Sequence, residues 1–365
     1  MQMDVSRKGA TSLQGVTAIS ADDIWVVGDG LIDHWNGSNW QAAQEPAAQQ
    51  GNWSTISASS ANDIWVIGTS GAGPQALHWD GQTWTTAALP SFSSGIAMLS
   101  GIAAIAPGNA WAVGSVRTGK YPGYEYRALI LHWNGSNWNV VAGASIQRGR
   151  NPQFGAISAL SASNIWAVGS VVDTSLGTRE LIEHWDGQQW QRVPPPGQGH
   201  TLYHIDSATL NGVTAVSSGD VWAVGTWNLS GNGADGSALG MIEHWDGQQW
   251  SHAQISGPES RLNFLNAIKV ISPTNVWAVG GFVNPNTRLG NAYMQHWDGK
   301  QWGMSIWPTF YGQAAENSSV RLNDVSGTPD GQVIAVGTSV VFTQNPPIDD
   351  ASRNPAQPFA LASCH

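Results

Sequence analysis

Ten residues, LIEHWDGQQW at 181–190, return almost unchanged as MIEHWDGQQW at 241–250. Related strings stand at 31–40 (LIDHWNGSNW), 76–84 (ALHWDGQTW), 129–138 (LILHWNGSNW) and 294–302 (MQHWDGKQW). A unit spelled six times does not suit a fold with one unrepeated core; it predicts a propeller, solenoid or array. Function then has to be sought in what differs between the copies.

Within one copy, at 155–193, the runs GAISALS, NIWAVG, LIEHW and QQWQRV are short, rich in Ile, Val and Trp, and bounded by Gly, Asn, Asp or Ser. Such runs read as strands. Asn-Gly or Asp-Gly separates the third run from the fourth in every copy, at 36–37, 80–81, 134–135, 186–187, 246–247 and 298–299. Both dipeptides tolerate positive φ, so each marks a tight hairpin. An Asp or Asn two residues before the Trp of the second run (Asp23, Asp63, Asn109, Asn164, Asp220, Asn275) suits the turn between strands one and two.

Four antiparallel strands per repeat make one propeller blade. A worn copy follows the six, VRLNDVSGTPDGQVIAVG at 320–337, with Ile334 in the Trp place and Gly337 as the terminal glycine. PFALASC at 358–364 supplies its third strand, and MQMDVSR at the N-terminus is left to supply its fourth. The expectation is an all-β, seven-bladed β-propeller of four-stranded antiparallel blades, closed by the N-terminal strand, with six blades plus a tail as the alternative. Its single domain covers 1–365: 1–8 as the outer strand of the last blade, blades one to six at 9–52, 53–97, 98–154, 155–209, 210–263 and 264–319, and blade seven at 320–365.

Of 21 tryptophans, 18 fall into three repeated classes. One opens the second strand (Trp25, Trp65, Trp111, Trp166, Trp222, Trp277), and one follows histidine (Trp35, Trp79, Trp133, Trp185, Trp245, Trp297). The third comes five residues later (Trp40, Trp84, Trp138, Trp190, Trp250, Trp302). At roughly 150–250 Å² buried per ring they are core material, and their burial is set against chain entropy. The histidines before Trp (His34, His78, His132, His184, His244, His296) come from different copies at one height. That spacing is too wide to share a metal at about 2.1 Å, so they are expected to bond backbone or Asx at a blade edge.

Charged residues are only 11% of the chain, against roughly 25% in ordinary soluble domains, and the net charge is −10. Neither nucleic acid nor an anionic membrane is expected as a partner, because each needs a dense basic face. Cys364 is the one cysteine and can close no intrachain disulfide. MQMDVSRKGATSLQG has no apolar core of leader length, and no stretch of about 18 apolar residues occurs. The expectation is a soluble monomer, extracellular or at the cell surface with its leader not visible, or else cytoplasmic.

A second strand ending in glycine (NIWAVG), an aromatic in strand three (EHW) and a Trp at fixed spacing in strand four resemble the kelch type of β-propeller. The resemblance spans nearly the whole chain, although kelch repeats usually carry two glycines after strand two and only Gly280-Gly281 does so here. The HWDG string also resembles the WAVG/HWDG-repeat propellers of bacterial proteins. WD repeats would show a Gly-His pair early in each repeat, and sialidases a longer Asp-box.

Strand parity sorts the loops. Turns 1–2 and 3–4 share one face and are short; loops 2–3 and the links between blades share the other and vary. The Trp-to-Trp spacing across loop 2–3 is 10 residues in the first copy (25 to 35) and 23 in the fifth (222 to 245). Variable loops on a repeated scaffold are where binding evolves. Loop 115–127, SVRTGKYPGYEYR, gathers Tyr121, Tyr124 and Tyr126 with Arg117, Lys120 and Arg127. Tyr203, His204, Trp227, Trp307 and Tyr311 complete the candidate ligand-binding set on the same face.

Enzyme readings are weaker. The copper chemistry known in the kelch type needs a Tyr–Cys crosslink, which Cys364 is badly placed to join, and the motifs that accompany a sialidase's arginines are absent. His200 and His204 have a zinc-like spacing only on a helix, which the PPPGQG upstream disfavours. No catalytic residue, metal or cofactor is expected. The reading is a non-catalytic recognition module for a glycan or a surface protein. The alternatives are a polysaccharide lyase or hydrolase using Tyr203, His204 and arginines at the axial mouth, or a structural spacer in an extracellular assembly.

Overall fold

The structure, a computed structural model, describes residues 12–46, 51–71, 73–92, 95–120, 123–146, 149–173, 175–197, 204–230, 236–258, 260–305, 318–341 and 357–362. The described chain is a succession of antiparallel units. The first is β1 (Leu13–Ser20), β2 (Asp23–Gly28), β3 (Leu31–Trp35) and β4 (Trp40–Ala42). The second is β5 (Asn52–Ser60), β6 (Asp63–Ser70), β7 (Gly73–Trp79) and β8 (Trp84–Thr86). The third is β9 (Ile96–Ala106), β10 (Asn109–Thr118), β11 (Glu125–Trp133) and β12 (Trp138–Val140). The fourth is β13 (Gly149–Ser161), β14 (Asn164–Asp173), β15 (Gly177–Trp185) and β16 (Trp190–Arg192). The fifth is β17 (His204–Ser217), β18 (Asp220–Ser230), β19 (Ser237–Trp245) and β20 (Trp250–His252). The sixth is β21 (Asn263–Ser272), β22 (Asn275–Val283), β23 (Gly290–Trp297) and β24 (Trp302–Met304), and the last is β25 (Ser318–Gly327), β26 (Val333–Val341) and β27 (Gln357–Ala362).

This corrects the expectation of seven separate four-stranded blades. Among the described residues four sheets are discrete four-stranded blades: β1–β4, β5–β8, β9–β12 and β21–β24. The fourth and fifth units merge into one eight-stranded sheet, because the long β17 reaches back to pair in parallel with β15 at Thr178↔Ser207. The last unit is a three-stranded sheet, β25–β26–β27. Residues 1–11, and with them the expected closing strand, lie outside the described residues. Within those residues the last unit meets the first through their innermost strands: Val16 N donates to Asp324 Oδ2 at 2.9 Å, and Asn323 Nδ2 to the Leu13 carbonyl at 2.7 Å.

The local reasons for these strands lie in the repeat. Each Asn-Gly or Asp-Gly glycine has positive φ, from 87° at Gly37 to 94° at Gly81 and Gly187. The Asx side chain ahead of it accepts two backbone N–H groups of its own turn, as Asp186 does from Gln188 at 2.8 Å and Gln189 at 2.9 Å. The glycine expected to end each second strand ends only β2; in the other units the strand runs on past it, and the glycine has a different cause. A Cβ on Gly28, Gly68, Gly114, Gly169, Gly225, Gly280 or Gly337 would overlap a carbonyl oxygen in or just ahead of the neighbouring first strand, which is bulged there in all seven units. Only a residue without a side chain lets the two backbones approach so closely.

The core lies between units rather than within them. The first-class Trp of one unit packs on the second- and third-class Trp of the next: Trp65 sits 5.1 Å from both Trp133 and Trp138. Trp25, Trp111, Trp166 and Trp222 repeat the arrangement with their following units. Edge-to-face and tilted aromatic contacts of this kind add to the area each ring buries. The last unit has no such Trp, and Ile334 instead packs among residues of the first unit, with Trp35 and Trp40 against it.

Each repeat histidine stacks on the first-class Trp of its own unit, with centroids 4.0–4.4 Å apart across the six pairs. Its Nε2 donates to the turn Asx: His34 to Asp23 at 2.8 Å, His78 to Asp63 at 2.7 Å, and His184 to Asn164 at 2.9 Å. The same holds for His132 with Asn109, His244 with Asp220 and His296 with Asn275. The histidines are therefore braces between strand three and the 1–2 turn. Burial lowers the proton affinity of His132, His184 and His296, whose partners are neutral asparagines. At Asp63 burial opposes ionisation, yet the bonds from His78 and Ser59 hold its carboxyl below the usual range.

Candidate functional site: the variable-loop face and the axial channel

The β10–β11 hairpin extends the third unit on the variable-loop face. Arg117 lies opposite Tyr126, and Ile96 of β9 lies opposite Arg117, so one face of the three strands carries an apolar, a cationic and an aromatic side chain in a row. The Arg117 guanidinium sits 4.6 Å from the centroid of the Tyr124 ring, which is 36% exposed, and Ile96 is 54% exposed. Asn151 of the next unit, in the left-handed region at φ 52°, accepts the Tyr126 N–H at 2.9 Å and braces the hairpin. Arg127 is exposed on β11.

The fourth unit continues this face. Leu176, between β14 and β15, is 57% exposed. Beside it a cavity of about 450 Å³ is lined by Ser145, Ile146, Asp173, Arg179 and Arg192 among others. Arg179 Nη1 donates to the Thr178 carbonyl at 2.7 Å and Arg192 Nη2 to the Glu180 carbonyl at 3.2 Å, which orients both guanidinium groups. Burial raises the carboxyls of Glu180 and Glu183, opposed by backbone hydrogen bonds and by the nearby arginines. Burial likewise lowers Arg192, countered by those two acids.

The other expected ligand residues fare differently. Trp227 is 8% exposed, inside the core cluster between the fourth and fifth units, with its ring edge-on to His252 at 4.9 Å. His204 opens β17, but its side chain, like Tyr121, Tyr203, Trp307 and Tyr311, lies outside the described residues. Among the described residues no group of three or more His, Cys, Asp or Glu is placed to hold a metal ion.

A second site escaped the sequence reading. The first strands line an axial channel of about 440 Å³. Aligned by unit they read LQGVTA, WSTISA, LSGIAA, FGAISA, LNGVTA, LNAIKV and LNDVSG. At the fifth place a hydroxyl usually accepts a backbone N–H of the next unit: Ser57 from Ala104 (3.0 Å), Ser158 from Ala215 (3.2 Å), Thr214 from Val270 (3.2 Å) and Ser326 from Ala18 (3.1 Å). In the sixth unit that place is Lys269, and in the last unit the small third residue is replaced by Asp324. These are the only charged residues lining the channel among the described residues. Burial raises the Asp324 carboxyl to about 6, while hydrogen bonds from Val16 and Val325 and the charge of Lys269 pull the other way. Lys269 offers surface to the lumen yet is surrounded by protein, and that desolvation lowers its pKa against the pull of Asp324. The signal was legible as two departures in an otherwise neutral repeat position.

No family model matches the chain, and no curated protein matches it. Solved structures do. A structure described as YCF48 bound to D1 peptide aligns at 15% identity over 92% of each chain, with a TM-score of 0.54. The WD40 β-propeller domain of Doa1 aligns at 13% identity over 98% of this chain and 96% of its own, with a TM-score of 0.56. An ulvan lyase of polysaccharide lyase family PL25, bound to a sugar fragment, aligns at 12% identity over 92% and 93%, with a TM-score of 0.53. At these identities the likeness establishes one thing: the chain is an all-β propeller built from tryptophan-bearing repeats.

Proposed function

We propose that this propeller is a non-catalytic recognition module that binds a polypeptide segment through its variable-loop face. The observation that carries the reading is the exposed Tyr124 ring held by Arg117 beside exposed Ile96, continued in the next unit by Leu176 and an arginine-lined cavity. Exposed apolar groups rimmed by cations suit an extended segment with aliphatic and acidic side chains. Aromatic and Arg anchors are the residues most often dominant at such contacts. Propellers of similar fold include one solved with a peptide and one with a sugar fragment, and it is the apolar and cationic character of the Ile96–Arg117–Tyr124 patch that favours the peptide here. A monomer acting outside the cell, with repeats of the kelch type, remains the companion reading from the sequence.

The test is a peptide array and a glycan array probed with the wild-type protein and an Arg117→Ser/Tyr124→Ser variant. Binding should concentrate on peptides carrying both acidic and aliphatic residues and be lost in the variant without a change in melting temperature. Binding confined to glycans, or unchanged in the variant, would refute the proposal.

A further inference from the structure

The axial channel carries a charged group that peptide recognition on the variable face does not use. At the place where Ser57, Ser158, Thr214 and Ser326 each tie one unit to the next, Lys269 carries an ammonium instead of a hydroxyl. Its ammonium makes no direct hydrogen bond or ion pair to a described residue. Asp324, the other charged group of the lumen, is engaged by the N–H groups of Val16 at 2.9 Å and Val325 at 2.8 Å. Lys269 is exposed to the lumen and makes no direct contact with a described polar partner, so its ammonium stands open to an anionic group entering the channel.

The rest of the lining narrows the chemistry. Hydroxyls and amides dominate it: Gln14, Ser54, Ser100 and Asn211 join Thr17 and Ser57. No aromatic ring lines the channel among the described residues. One ammonium among many neutral hydrogen-bonding groups suits a ligand with one acid group and several hydroxyls. A strongly charged or flat apolar ligand would leave most of those groups unmatched. We propose that the axial channel is a binding site for a small polyhydroxylated carboxylate of the sugar-acid class, its carboxylate held by Lys269 and its hydroxyls by the Ser, Thr and Asn lining. The alternative is that Lys269 serves Asp324 alone, as a long-range pair at the junction of the sixth and last units.

The experiment is calorimetric titration of the full chain with glucuronate, gluconate, glucose and sulfate, repeated on Lys269→Ser. Serine is the residue that three other units carry at this place, so the variant is expected to fold. Saturable binding of a sugar acid, with glucose at least about tenfold weaker and with Lys269→Ser reducing acid affinity by about tenfold or more, is the expected result. Equal binding of sulfate and the sugar acids would sink the hydroxyl part of the proposal. No saturable binding of either sugar acid, or binding unchanged in Lys269→Ser, would overturn the site itself. The variable-face variant Arg117→Ser/Tyr124→Ser should leave these titrations unaltered, so this site and the peptide face succeed or fail separately.

Discussion

Replacing Asp324 by Asn tests whether the junction of the last and first units carries a carboxyl that resists ionisation. Its pKa stands at about 6 against an ordinary 3.8, chiefly through desolvation. Between those values the folded state keeps a proton that the unfolded chain has released. Stability from this group is thus fully present below pH 3.8 and is lost as the pH rises through about 6, after which it is flat. A shift of about two units corresponds to about 1–3 kcal/mol once partial solvent access is allowed for. Asn cannot reproduce both acceptor roles: with one oxygen it serves either Val16 or Val325, and its amide then faces the other N–H. That costs a further ~1–3 kcal/mol at every pH, so the slope carries the information and the offset does not. Urea unfolding of both proteins from about pH 4 to about pH 8 is the assay. Glu180, Glu183 and Glu243, also raised by burial, bend both curves alike, and the difference between the curves isolates Asp324. Wild-type stability should fall by about 1–3 kcal/mol more than that of the variant across this range. Parallel curves would refute the reasoning.

Trp65→Ala should cost about 3–5 kcal/mol in urea unfolding, because that ring is fully buried against His78, Trp133 and Trp138. Trp277→Ala should cost measurably less, since Trp277 packs toward the last unit, which offers no Trp; equal losses would contradict the inter-unit packing argument. Gly225→Ala should lower stability by about 3 kcal/mol through overlap with the Thr209 carbonyl, read as melting temperature and soluble yield; a neutral result would show that the strands can part. Glu243 is fully buried, its carboxyl is pushed well above the usual range by burial and then by Glu180, and it occupies the place where the sixth unit has Gln295. Glu243→Gln should therefore change stability by less than about 1 kcal/mol near pH 5 and raise it relative to wild type above pH 7; a loss at high pH would mean the carboxylate is needed ionised.

Much of the fold was legible because its determinants are close in sequence. Strand runs and Asx-Gly turns belong to hairpins whose partners lie within a few tens of residues, whereas the second strands run past the glycines expected to end them in every unit but the first. The histidine–Asx brace was partly legible for the same reason: the expectation named an Asx or backbone partner, and His78–Asp63 is one such pair. The site was read less well. Loop 115–127 did yield an exposed aromatic–cation pair in Tyr124 and Arg117, but Trp227, read as a ligand contact, is packed between the fourth and fifth units. Nothing in TWNLSG distinguishes an exposed ring from one that a neighbouring unit covers.

By itself the sequence determined the strand order within each unit, the turns between strands and the tryptophans available to the core, since these follow from local spacing and backbone sterics. Only the tertiary structure decided which units stay separate and what the axis carries. The union of the fourth and fifth units depends on β17 passing within reach of Thr178 on β15. Trp277 and Trp40 are less buried than their counterparts because the unit between them has Ile334 where a Trp would stand. Lys269 and Asp324 belong to different units and face one lumen only because the first strands of adjacent units converge on one channel. In a ring of repeats each unit's surface is completed by its neighbour, so burial and charge pairing are properties of the junctions, and the junctions exist only once the chain has folded.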